Sequence, residues 1–158
     1  MTAISYASEL ERAGTITITI KGVSMRPLFH ADTDAILVKK CAAGTLKNLD
    51  IVLFRRPGPD GVQYVLHRIV SRRQDGSYVI AGDNCTDADI VPPQDVLGKA
   101  VSAQRRNKPI PLQGIRYTVY KTLWCAPYPI RFSVLRIRNK ARAVAKKFVS
   151  RRRKQHGI

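Results

Sequence analysis

The chain has no aspartate or glutamate after Asp95. Residues 1–104 hold 12 Lys/Arg against all 11 Asp/Glu, a net charge of +1. Residues 105–158 hold the remaining 16 Lys/Arg and no acid, a net charge of +16. A nearly neutral body therefore carries a basic tail, and such a tail attracts polyanions, either nucleic acid or an anionic membrane. Long apolar runs are also missing: nothing approaches the roughly 20 apolar residues that span a bilayer. Residues 1–14 contain Glu9 and Glu11 and no apolar stretch, so no export signal is expected there. Cysteine is scarce. Cys41, Cys85 and Cys125 form no CxxC pair, which excludes a zinc site of the usual spacing. An odd cysteine count without an export signal points to a reducing compartment, the cytoplasm. No metal or cofactor is expected, and nothing repeats internally.

What is present suits one compact domain with an appendage. Thr2 to Ala13 reads as a short helix closed by Gly14. Thr15 to Ile20 alternates Thr and Ile, the period of a strand built from β-branched residues. Further strands are expected at Ala35–Lys39, Ile51–Arg55, Val62–Val70, Tyr78–Ala81 and Val96–Ala103, with turns at Asp60-Gly61 and Asp75-Gly76. Short strands at this spacing predict a mainly β fold, a coiled antiparallel sheet or partial barrel. The expected division is an N-terminal helix over 1–14, a body over 15–104 and a basic helical tail over 105–158.

Three segments could carry chemistry. Gly22-Val-Ser-Met-Arg-Pro27 follows the Thr/Ile strand, Val65-Leu-His-Arg-Ile-Val70 lies within a strand, and Gly82-Asp-Asn-Cys-Thr-Asp-Ala-Asp89 follows another. A serine at such a turn is exposed, and the N–H groups after it are free to hold an oxyanion. An imidazole takes a serine proton near neutral pH, and an aspartate can fix its tautomer. Taken singly, each has an ordinary reading: Ser24 as a turn residue, His67 as a satisfied strand residue, the aspartates as turn formers. Cys85 is expected to be a small space-filling thiol.

Together and in order, these segments resemble the boxes of the signal peptidase I superfamily, which includes the LexA-type self-cleaving repressors. Ser24-Met-Arg-Pro27 is similar to its serine box, Asn48-Leu-Asp-Ile-Val52 to its Gly-Asp-Ile-Val segment, Gly82-Asp-Asn84 to its Gly-Asp-Asn box and Val96-Leu-Gly98 to its closing strand. The resemblance covers about residues 15–104. Where most bacterial members carry a lysine base before the Arg of the second box, His67 precedes Arg68. That resembles the endoplasmic-reticulum, archaeal and sporulation-type enzymes, which use Ser and His with an Asp. The resemblance implies a sheet of the signal-peptidase catalytic type and a serine endopeptidase that cuts leader or signal-like peptides. Ser24 would be the nucleophile, His67 the base and Asp89 the orienting acid. Met25, Arg68, Gly82 and Asp83 would support them, with Asp83 paired to Arg68 and Asp87 as a substitute for Asp89. Without an anchor or export signal, a cytoplasmic leader protease acting on one precursor is the expectation.

The tail has its own pattern. Tyr117, Tyr120, Trp124 and Phe132 are types favoured at membrane interfaces. Ile130, Val134, Ile137, Ala141, Val144, Ala145 and Phe148 recur at helical spacing, with Arg131, Arg138, Arg142, Lys146 and Lys147 filling most of the rest. Residues 114–149 are therefore expected to lie on an anionic membrane surface, at the inner face of the membrane. The alternatives are packing on the body and, for a LexA-like or inactive peptide-binding domain, nucleic-acid binding by the tail.

Overall fold

The computed structural model describes residues 5–155. Helix α1 (Tyr6–Ala13) is capped by the Ser5 hydroxyl, which accepts from the Ala7 N–H at 3.3 Å. The four residues before Ser5, where the helix was expected to begin, lie outside the described residues. Eight strands follow: β1 (Thr15–Thr19), β2 (Asp34–Lys40), β3 (Ile51–Gly58), β4 (Gly61–Arg72), β5 (Tyr78–Ala81), β6 (Asp89–Val91), β7 (Val96–Arg105) and β8 (Lys108–Pro109). They form one antiparallel sheet in the order β1-β2-β7-β3-β4-β5-β6, with β8 paired to β7. The mainly β architecture with a helical C-terminus is as expected. Strands β6 and β8 were not foreseen, because two or three residues are too few to show an alternating pattern.

β3 explains why one sheet supports two apolar layers. Successive side chains point to opposite faces. Ile51 and Leu53 join a core with Ile18, Met25, Phe29, Ile36 and Leu66. Val52 and Phe54 join a second with Ile69, Tyr78, Ile80 and Val91. All four are buried, so this strand reads as a continuous apolar run. The sheet also curls: Ile18 of β1 and Leu66 of β4 line the same groove, although β2, β7 and β3 lie between them in strand order.

The sheet runs past the expected body boundary at residue 104. β7 continues to Arg105, and β8 turns back along it within the stretch assigned to the helical tail. The Arg105 guanidinium donates to both oxygens of the buried Asp34 carboxylate, at 2.7 and 2.8 Å. Helix α2 (Ile115–Tyr120) passes into a π-helical stretch, Lys121–Cys125, and α3 runs from Tyr128 to Gln155. Pro129 stands in the first turn of α3, where a missing N–H costs nothing. The helix continues beyond Ser150 through the terminal Arg/Lys run. Among the described residues, no helix is long and apolar enough to cross a membrane.

Burial pushes the Asp34 carboxyl up, but donors from Arg105, the His30 N–H and Thr33 hold it down at about 2. A carboxyl depressed from 3.8 contributes stability that is present above that pH and lost as pH falls toward 2. Asp34→Asn is expected to cost about 2 kcal/mol at neutral pH and to flatten this acid-side loss. Urea unfolding as a function of pH checks both.

Candidate active site

The chain leaves β1 at a turn in which Gly22 adopts φ +80°, a left-handed conformation that suits glycine. Ser24 follows, half-buried. Met25 and Phe29 behind it are fully buried, and the Phe29 N–H donates to the Met25 carbonyl at 3.0 Å. The serine is thus carried on a turn nailed into the core by two large apolar side chains. A second segment clamps the same turn from outside. The Asn84 N–H donates to the Ser24 carbonyl at 2.8 Å, and the Asn84 Nδ2 donates to the Val23 carbonyl at 3.1 Å.

His67 lies on β4, paired opposite Val52, with its ring 6.2 Å from that of Phe54. It is buried, and its Nδ1 has no hydrogen-bond partner. Desolvation lowers its pKa from 6.5 to about 4, opposed first by the charge of Asp89 and then by Asp83 and Asp87, while Arg56 adds to the depression. At neutral pH the imidazole is therefore neutral, the form that can accept a proton.

Gly82 joins the two. A Cβ at this position would stand 2.6 Å from the Ser24 carbonyl oxygen, 2.7 Å from the Cys85 Sγ and 3.0 Å from the His67 Nε2. Only a residue without a side chain lets the serine turn, the histidine ring and the Cys85 thiol converge there. They open onto a groove of about 630 Å³. Ile18, Ile20, Leu53 and Leu66 give it an apolar wall, while Lys21, Arg56, Asp87 and Asp89 add charge. The side of β1 away from β2 carries no strand among the described residues, so an extended peptide could add to it.

Asp89 lines this groove with Ser24 and His67, but its carboxylate accepts two bonds from the Arg56 Nη1, at 2.6 and 2.7 Å. The orienting bond to His67 expected from the resemblance is not formed in this arrangement. Asp83 lies elsewhere. Arg68, the next residue after His67, points to the opposite face and meets Asp83 in a buried two-pronged pair at 2.8 and 2.7 Å. Burial raises the Cys85 thiol above its ordinary value. No group of three or more His, Cys, Asp or Glu that could hold a metal occurs among the described residues.

The tail supplies functional neighbours that the sequence did not disclose. The Tyr120 hydroxyl donates to Asp83 Oδ2 at 2.8 Å, and the Trp124 indole N–H donates to the Asp83 carbonyl at 3.1 Å. Tyr117 accepts from Arg68 at 3.1 Å. From α3, the buried Arg131 reaches the Gly82 carbonyl at 3.4 Å and Arg138 reaches Asn84 Oδ1 at 2.8 Å. The Gly82–Asn84 loop is therefore braced by the segment that was expected to be an appendage. The available signal was the spacing of Tyr117, Tyr120 and Trp124, which puts three polar-tipped aromatics on one helical face.

Compared with protein-family models, with curated proteins and with solved structures, the chain returns no match.

Two outcomes test this geometry. The His67 ring is expected to titrate near pH 4 in an NMR experiment, with stability full above pH 6.5 and declining as pH falls toward 4; titration near 6.5 would mean the ring is solvated. Gly82→Ala is expected to cost about 1–3 kcal/mol in denaturant unfolding, because its Cβ meets a backbone oxygen that cannot rotate away.

Proposed function

We propose that this chain is a serine endopeptidase resembling the Ser-His type of signal peptidase, acting on a leader-like segment of a precursor protein. The observation that carries the reading is the convergence at Gly82 of the Ser24 turn and the His67 Nε2. In the proposed reaction, His67 Nε2 takes the Ser24 proton as the Ser24 oxygen bonds to the peptide carbonyl carbon. Backbone N–H groups at Ser24 and Met25 hold the oxyanion. The C–N bond then breaks, and the imidazolium returns its proton to the departing amine. Water, deprotonated by His67, releases the acyl group and restores Ser24. Asp89, the largest charge effect favouring protonated His67, stabilises the imidazolium formed along the way. A sheet of the signal-peptidase catalytic type belongs to the same proposal, and the reading places the enzyme in the cytoplasm at the inner face of the membrane.

One observation favours a second reading. The hold of Arg56 on Asp89, with His67 Nδ1 unpartnered, suits a site that binds an extended peptide without cutting it.

A peptide library with small residues before varied junctions, analysed by mass spectrometry, separates the two. Cleavage that falls by roughly 10⁴-fold or more in both Ser24→Ala and His67→Ala, with Asp89→Asn reduced as well, supports the peptidase. Peptide binding that is equal in parent and Ser24→Ala, with no cleavage by either, assigns the binding role instead.

A further inference from the structure

The tail is amphipathic in an inverted sense. In α2 and the π-helical stretch, the polar-tipped residues Tyr117, Tyr120 and Trp124 turn inward to the Arg68–Asp83 pair. The aliphatic residues Ile115, Val119 and Leu123 turn outward and are exposed, Ile115 by 84% and Leu123 by 72%. A helix free to rotate in water would bury those three and wet the tyrosines. Five hydrogen bonds from this segment and α3 to Arg68 and the Gly82–Asn84 loop hold it the other way.

α3 carries a further exposed apolar stripe. Arg131 and Leu135 are buried toward the body, whereas Ile130, Val134, Ile137 and Val144 are exposed. Their steps of four, three and seven keep them on one stripe of the helix. Lys140 and Lys147 fall on one side of the stripe and Arg142 and Lys146 on the other, whereas Arg136 and Arg138 reach back to the Thr86 carbonyl and Asn84. Seven of the twelve large exposed apolar side chains among the described residues lie between Ile115 and Val144, which makes this a concentrated surface rather than scattered exposure.

Charge selects the occupant. A second copy could cover a stripe of this spacing, but it would set one +16 tail against another. Nucleic acid would satisfy the cations and leave the aliphatic stripe in water. An anionic bilayer satisfies both, since acyl chains accept the stripe and lipid phosphates accept the flanking cations. We infer that the outward face of residues 115–147 is a docking surface for an anionic lipid bilayer, lying in the plane of the headgroups. This inference builds on the membrane-face placement proposed above and names its lipid chemistry and residues, but vesicle binding needs no peptide cleavage, so the two fail separately.

Flotation of the full chain with phosphatidylglycerol–phosphatidylcholine vesicles is the test. Substitution is preferable to truncation, because removal of residues from 114 onward would strip Tyr117, Tyr120, Trp124 and Arg131 from the buried Arg68–Asp83 pair. The parent is expected to float with mixed vesicles and to bind phosphatidylcholine vesicles at least about tenfold less. Val134→Ser, Ile137→Ser and Val144→Ser combined should lower partitioning by about tenfold or more, with an unchanged circular dichroism spectrum and unchanged cleavage of a soluble peptide. Lys140→Gln, Arg142→Gln and Lys146→Gln should lower it by about fivefold per residue. Absence of flotation, or flotation indifferent to the three serines, overturns the inference. Dimers abolished by the serines, or salt-dependent DNA binding unaffected by them, each without flotation, would reassign the surface to a second copy or to nucleic acid.

Discussion

The structure is organised around a single buried ion pair. Arg68 and Asp83 are both fully excluded from water, and charges so placed are tolerated only when almost every lone pair and N–H is used. Here they nearly are. Arg68 spends its remaining donors on the Leu49 carbonyl and Tyr117, and Asp83 receives Tyr120 as well as the guanidinium. Satisfying this one pair draws together β4, the loop after β5, the segment before β3 and the whole first half of the tail. Burial alone would ease deprotonation of Arg68, but its hydrogen bonds to Asp83 and that residue's charge outweigh this and raise it, while burial raises the Tyr120 hydroxyl beyond its ordinary value, so neither titrates away under ordinary conditions.

The geometry at Ser24 and His67 is downstream of that pair. β4 alternates its side chains, so fixing Arg68 on one face fixes His67 on the other. Asp83 is flanked by Gly82 and Asn84, so anchoring its carboxylate also sets the glycine against the His67 ring and the Asn84 N–H against the Ser24 carbonyl. The nucleophile candidate and the base candidate are thus positioned through an ion pair on the far side of the sheet. The low pKa of His67 follows from the same packing, since a ring wedged between Phe54 and Gly82 has little water to stabilise its cation.

Much of this was legible from local pattern. The unbroken Thr/Ile alternation of Thr15–Ile20 could be little but a strand, and the mixed apolar run around His67 placed it within another. The pairing of Arg68 with Asp83 was expected from the resemblance and is formed. What was not legible depends on partners distant in sequence. Arg56 holds Asp89 from the far end of a hairpin, and no spacing within the Gly82–Asp89 segment hints at it. Arg131 looked like one more cation on the polar face of a helix, yet it is buried against the Gly82 carbonyl. Tyr117, Tyr120 and Trp124 were read from their chemical type as interface residues. Their polar tips instead complete an interior charge network, which composition cannot reveal because it turns on which donors the body leaves unmet.

The bracing of the Gly82–Asn84 loop by Tyr120, Trp124, Arg131 and Arg138 bears on how this protein can be taken apart. A charge step at residue 105 invites a cut there, as if a catalytic module had been joined to a basic one. The true seam lies inside α3, beyond Arg138, where residues 139–147 are exposed. Upstream of that seam the cationic segment is a wall of the folded unit, and recombination that exchanged it would have to supply another set of donors for Asp83. Downstream, the exposed residues 139–147 can be recharged at little cost to the body. Evolutionary variation in this chain should therefore be gated within one continuous helix, with its first turns constrained and its last turns open to change.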